Sequence, residues 1–173
     1  MRVISIGRGR LVLDRLTEAL NASGHEAVST NNFDDPLINN SYDVVGFGRA
    51  VTPEIRDRLE KVLRAQNPEI AAYRGMCPDV GVLVGQVEYE LARRDNSVVE
   101  GFTLADNEVR FEVRQAVALT WKVRHVNALF RGSDQVLHGR TYEAGRHVVP
   151  VKRRKGRNFL QVEAQKTVFI TQL

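Results

Sequence analysis

Three short stretches place a glycine beside an arginine where an apolar run ends: "SIGRGR" (Ser5 to Arg10), "GFGR" (Gly46 to Arg49) and "YRGM" (Tyr73 to Met76). Glycine lets an anion approach the main chain, and arginine supplies charge-assisted hydrogen bonds to phosphate or carboxylate. In the first stretch, Gly7-x-Gly9 passes straight into a helical pattern. A helix start presents free amides and the positive end of its dipole, which favours an anion there. Gly7, Arg8, Gly9, Arg10, Gly48, Arg49, Arg74 and Gly75 are therefore candidate contacts for a nucleotide or another anionic ligand, with Gly46 and Met76 beside them. The plain alternative is that the glycines serve corner geometry alone and the arginines pair with Asp34, Asp35 or Asp79.

A second charged feature is "KRRKGR". Lys152, Arg153, Arg154, Lys155 and Arg157 stand between "VVPV" and "FLQVEA", where a β-hairpin tip is expected. A solvated tip is the simple reading; contact with nucleic acid or an acidic partner, strongly dependent on salt, is the other. Phe159 is the only nearby ring, so stacking of single-strand bases is not indicated.

Residues for catalysis do not assemble. His25, His125, His138 and His147 are scattered without metal-ligand spacing, so no metal is expected. There is no G-x-S-x-G elbow and no Walker lysine. None of Tyr42, Tyr73, Tyr89 and Tyr142 begins a Tyr-x-x-x-Lys pair. The single cysteine, Cys77 in "GMCPDVG", has no recognisable activating partner and reads as a half-buried thiol.

The elements that must carry these residues change character midway. Up to about residue 95, strand-like and helix-like segments alternate. "RVISI", "HEAVST", "DVVGFG" and "EIAAY" read as strands. "LVLDRLTEALNASG" carries Val12, Leu13, Leu16, Ala19 and Leu20 at helical spacing, with Gly24 where a C-terminal cap belongs. "TPEIRDRLEKVLRAQNP" begins with Thr52 as cap and Pro53 at the first helical position, with Ile55, Leu59, Val62 and Leu63 as its buried stripe. "PDVGVLVGQVEYELARR" gives a third helix, and "DDPLINNSY" reads as a loop. The order β-α-β-β-α-β-α predicts a small three-layer unit with a mainly parallel sheet. From residue 98, the period becomes 2: Val109, Phe111 and Val113, then Val117, Leu119, Trp121 and Val123, with charged residues between them. "DQVLHGR", "RHVVPVK", "FLQVEA" and "TVFITQ" add strands, separated by "RGSD", "EAG" and "RKGRN" as turns. A small antiparallel β-sandwich built around Trp121 is expected. Two domains follow, 1–95 and 98–173, joined near "ARRDNSVVE".

The first part resembles a Rossmann-like or flavodoxin-like α/β half domain, on "SIGRGR" after the first strand and on the strand-helix alternation. That resemblance implies a nucleotide such as NAD(P) in the crevice. Gly7 and Gly9 fill the first two positions of the G-x-G-x-x-G fingerprint, but Val12 fills the third. Ala27 to Thr30 stand where an acidic ribose partner would be. The topology is similar to that of response-regulator receivers, whose strand-end acids are replaced by Gly7-Arg8 and Phe47-Gly48. The second part is similar to immunoglobulin-like modules of bacterial proteins, on "LTWKVRHVNALFRGSDQVLHGRTYEAGRHVVPV". That implies docking, assembly or self-association into an oligomer.

Bulk properties bound the rest. Of 173 residues, 43% are hydrophobic and 27% charged, the profile of a globular protein. No apolar run approaches the roughly 20 residues that cross a bilayer, so no membrane partner is expected. The opening apolar run is too short for a secretory segment, and a cytoplasmic location is expected. Residues 1–97 hold 12 Lys/Arg and 14 Asp/Glu; residues 98–173 hold 13 and 7. The two parts thus carry net charges of −2 and +6, and the basic part is the one suited to an anionic partner. The reading at this point is a non-catalytic binding or assembly protein. Its alternatives are a nucleotide-dependent oxidoreductase or transferase component, and a nucleic-acid-associated protein acting through residues 152–157.

Overall fold

A computed structural model describes residues 1–94, 98–152 and 155–173. Residue contacts divide the chain into two compact units, Met1–Glu90 and Leu91–Leu173. The join expected near "ARRDNSVVE" falls partly on residues 95–97, outside the described residues.

The first unit runs β1 (Arg2–Ile6), α1 (Arg10–Ala22), β2 (Glu26–Thr30), β3 (Val44–Phe47), α2 (Pro53–Gln66), β4 (Ala71–Arg74) and α3 (Val80–Arg94), the last ending beyond the division. Its sheet is parallel throughout, in the order β2-β1-β3-β4. The chain moves from β1 to β2 in one direction across the sheet and from β3 to β4 in the other. Right-handed crossovers therefore put α1 and α2 on opposite faces. The core agrees: Ile4, Ile6, Val45 and Phe47 share one cluster with Leu59 and Leu63 of α2. Strand alternation then turns Ser5, Gly46 and Tyr73 to the other face, the side of α1.

Local chemistry fixes the helix ends. Gly24, at φ +83°, closes α1 in a Schellman turn: its amide donates to Asn21 O and that of His25 to Leu20 O. Thr52 caps α2 through the Ile55 amide, with Pro53 in the first turn. The segment read as a plain loop, "DDPLINNSY", instead holds a 3-10 turn at Pro36–Asn39. Asp35 starts it by accepting from the Leu37 amide and, through its other oxygen, from the Thr30 hydroxyl at 2.7 Å.

The second unit is antiparallel: β5 (Val99–Ala105), β6 (Glu108–Val113), β7 (Val117–Val126), β8 (Gly132–Tyr142), β9 (Gly145–Pro150), β10 (Arg157–Ala164) and β11 (Lys166–Gln172). They form two sheets, β11-β10-β7-β8 and β5-β6-β9. Their aromatic side chains meet across them: Phe111 lies 5.7 Å from Trp121, and Phe102 4.7 Å from Phe169, centroid to centroid. Trp121 is fully buried. One turn assignment changes, and one strand is added. "RGSD" is the start of β8, and the reversal lies one step earlier, where the Asn127 side chain accepts from the Leu129 and Arg131 amides. β5 was not legible, because its bulge around Gly101, at φ +66°, breaks the alternation. Asp106 and Asn107, both at positive φ, turn it back into β6 as a two-residue hairpin.

Candidate functional site

The glycine-bearing strand ends are tied together by the main chain. The Gly7 amide donates to Thr30 O, the Gly48 amide to Ile6 O at 2.8 Å, and the Gly75 amide to Phe47 O at 2.9 Å. Gly7, Gly48 and Gly75 thus extend the ladder one residue past the strands. A Cβ at Gly48 would stand 3.3 Å from Gly7 Cα, so a glycine here allows the two loops to touch. The loop after β4 is held by Gln86, whose Oε1 accepts from the Met76 amide and whose Nε2 donates to Arg74 O.

Between β1 and β3 the strand order reverses, and in open α/β sheets that is where a crevice opens beyond the strand ends. Such a crevice, about 220 Å³, is present. Its mouth is formed by Gly7, Arg8, Gly9, Gly48 and Arg49, with Cys77 buried in the loop above. Gly9 caps α1 with no side-chain hydrogen bond, so the first amides of the helix are not covered from that position. The crevice then runs inward between α1 and α3, walled by Leu13, Leu16 and Leu83. Its floor is Ser5, Gly46 and Tyr73, which are register partners across three strands.

The floor is where the sequence reading missed most. A Cβ at Gly46 would meet Tyr73 Oη at 2.5 Å and Cζ at 2.7 Å. The tyrosine ring therefore lies across the missing side chain, with its hydroxyl over β3. Ser5 is 3% exposed and Tyr73 9%. Neither hydroxyl has a hydrogen-bond partner among the described residues. Burial, with the charge of Glu90 adding to it, pushes the Tyr73 phenol above its ordinary range. A serine inside the apolar run "VISI" was the available signal. Its partnership with Tyr73 required the register.

The arginines are distributed unequally. Arg8 and Arg49 line the mouth, and Arg8 also lies over the Phe33 ring at 5.9 Å. Arg10 faces solvent beside Asp14 at 3.9 Å. Arg74 follows Tyr73 in β4 and so points to the opposite face; it donates to Arg49 O at 3.3 Å and does not line the crevice. Asp34 pairs with Arg58, not with any of these.

In the second unit, Lys152 and Lys155 are exposed, while Arg157 opens β10 and lies over the Phe130 ring at 4.6 Å. Arg153 and Arg154 lie outside the described residues. The histidines there are engaged locally. His125 bonds Asn158 at 3.0 Å and His147 the Glu143 carbonyl at 2.8 Å, while His138 stacks on Trp121. Burial, then the charge of Arg140, holds the His138 imidazole below its usual range. Among the described residues, no three His, Cys, Asp or Glu side chains are grouped to hold a metal, and no helix is long and apolar enough to cross a membrane.

Fold and crevice together define a parallel α/β unit with an open crevice at its switch point, followed by an antiparallel β unit. No family model matches the sequence, and no curated protein matches it. Among solved structures, the chain is similar to an NAD kinase from Archaeoglobus fulgidus in complex with ATP. The identity is 17%, the match covers 100% of this chain and 90% of that one, and the TM-score is 0.35. A likeness at that level decides nothing about ligand or chemistry.

Proposed function

We propose that the α/β unit is a Rossmann-like binding domain whose crevice takes a nucleotide or another anionic small molecule without transforming it. The β unit, read as an immunoglobulin-like module, serves for docking or assembly. The observation that carries the reading is the mouth itself. The start of α1, where Gly9 offers no side-chain cap, opens into a crevice rimmed by glycine main chain and by Arg8 and Arg49. Amides at a helix start hold an anion by hydrogen bonds and by the dipole. The floor favours holding over catalysis. It offers a serine and a phenol that burial keeps protonated, and neither takes up a proton near neutral pH.

Thermal unfolding in the presence of NAD(H), NADP(H), FMN and ATP tests the crevice. A compound present at 100 times its dissociation constant adds about 2.7 kcal/mol to stability, readable as a rise of several degrees in Tm. No rise with any of the panel removes the nucleotide reading. Analytical ultracentrifugation tests the β unit as a self-association module: a single monomeric species at all concentrations leaves only docking to another protein.

A further inference from the structure

We propose that the crevice is shaped for a nucleoside 5′-phosphate, with the flat heterocycle lying between α1 and α3 on Ser5 and Tyr73 and the phosphate at the first amides of α1. The proposal rests on the binding reading above and assigns the inner half of the same site.

Two independent features meet there. One is the helix start at the mouth. The other is a pair of buried hydroxyls, Ser5 Oγ and Tyr73 Oη, carried by two residues of the crevice floor and both without a partner among the described residues. Folded proteins rarely leave a buried polar group unpaired, and two on one floor mark a place where something else supplies the bonds. A hydroxyl can donate or accept, so the pair fits an edge carrying ring nitrogens, carbonyls or amino groups. Gly46 makes this possible, since any side chain there would occupy the space of the Tyr73 ring.

The walls select the rest of the molecule. Leu13, Leu16 and Leu83 offer no charge partner, so a phosphate pushed inward would give up its water for two neutral hydroxyls and no cation. A purely aliphatic group would suit the leucines but leave both hydroxyls unpaired. A planar heterocycle satisfies walls and floor together. At about 220 Å³, the space is too small for both halves of a dinucleotide.

The experiment is isothermal titration of the full chain with AMP, GMP, UMP and FMN, each compared with ribose 5-phosphate, which keeps a phosphate but has no heterocycle. At least one nucleotide is expected to bind ten times more tightly than ribose 5-phosphate. Tyr73→Phe and Ser5→Ala are each expected to weaken that nucleotide about three- to tenfold, the size of one hydrogen bond, and to leave ribose 5-phosphate unchanged. Tyr73→Phe keeps the ring, so its Tm without nucleotide is expected to stay level or rise. Equal binding of ribose 5-phosphate and every nucleotide overturns the heterocycle assignment and leaves the anion site standing. Binding of none of them overturns both. An equal loss for nucleotide and ribose 5-phosphate in Tyr73→Phe also overturns it, because the floor would then be acting only on the shape of the crevice.

Discussion

At the scale of single residues, Gly9 and Tyr73 can be tested with the least disturbance. Gly9 has an ordinary negative φ, and a Cβ there would come no closer than 3.9 Å to Val12. Gly9→Asp therefore fits sterically and gives α1 the side-chain cap it lacks. Aspartate is a better N-cap than glycine by a few tenths of a kcal/mol. The variant is expected to melt at the same temperature or slightly higher, yet to lose phosphate binding, because its carboxylate occupies the amides and repels the anion. Undiminished binding in calorimetry would show that the helix start is not the anion site. Tyr73 makes a prediction about alkaline pH. Its phenol is raised above the ordinary value of 10.0, so between that value and the folded one the folded state holds a proton that the unfolded state has lost. Stability then falls as pH climbs past about 10. In denaturant titrations across that range, Tyr73→Phe is expected to flatten the decline. An unchanged slope would mean that other groups cause it.

At the scale of elements, β3 is the strand on which the site depends. Gly46→Ala puts a methyl group where the Tyr73 ring lies, on a strand flanked by β1 and β4. The expected cost is about 1–3 kcal/mol, the usual range for overpacking, together with loss of nucleotide binding as the ring is displaced. Denaturant midpoints and titration calorimetry on one preparation report both. The elements were also what the sequence displayed best. Short apolar-rich runs such as "VISI" and "VVGF" identified strands, and Thr52-Pro53 and Gly24 marked helix ends by chemistry that hardly depends on context. β5 escaped because a bulge erases the period on which strand reading depends, and "RGSD" was misplaced because Asn127 builds a turn from its side chain. The candidate floor was hidden for a different reason. Ser5, Gly46 and Tyr73 are 27 or more positions apart from their neighbours in the chain, and only the parallel register sets them side by side. Arg74 shows the same limit from the other direction: next to Gly75 in sequence, it faces away from the crevice because strands alternate.

At the scale of the whole chain, the two compact units carry different reporters. Trp121 is the only tryptophan and is buried in the second unit, whereas α1 and α2 lie wholly in the first. Far-ultraviolet circular dichroism therefore follows the first unit mainly, and tryptophan fluorescence follows the second. Saturating nucleotide is expected to raise the midpoint of the helix signal by several degrees and leave the Trp121 midpoint in place. A shift of both by the same amount would show that the chain unfolds as one cooperative body. The charge difference between the two parts also has a use: only the basic part is suited to phosphate-rich polymers, and any retention on DNA is expected to fall steeply with salt.

The three amides that extend the ladder past the strand ends have a kinetic consequence. Gly7, Gly48 and Gly75 are each bonded to the carbonyl of a neighbouring strand, so the rim is fastened before anything arrives. Their deuterium uptake should be slow even in the empty protein, and entry of a small molecule should be limited by encounter, with no loop closure to wait for.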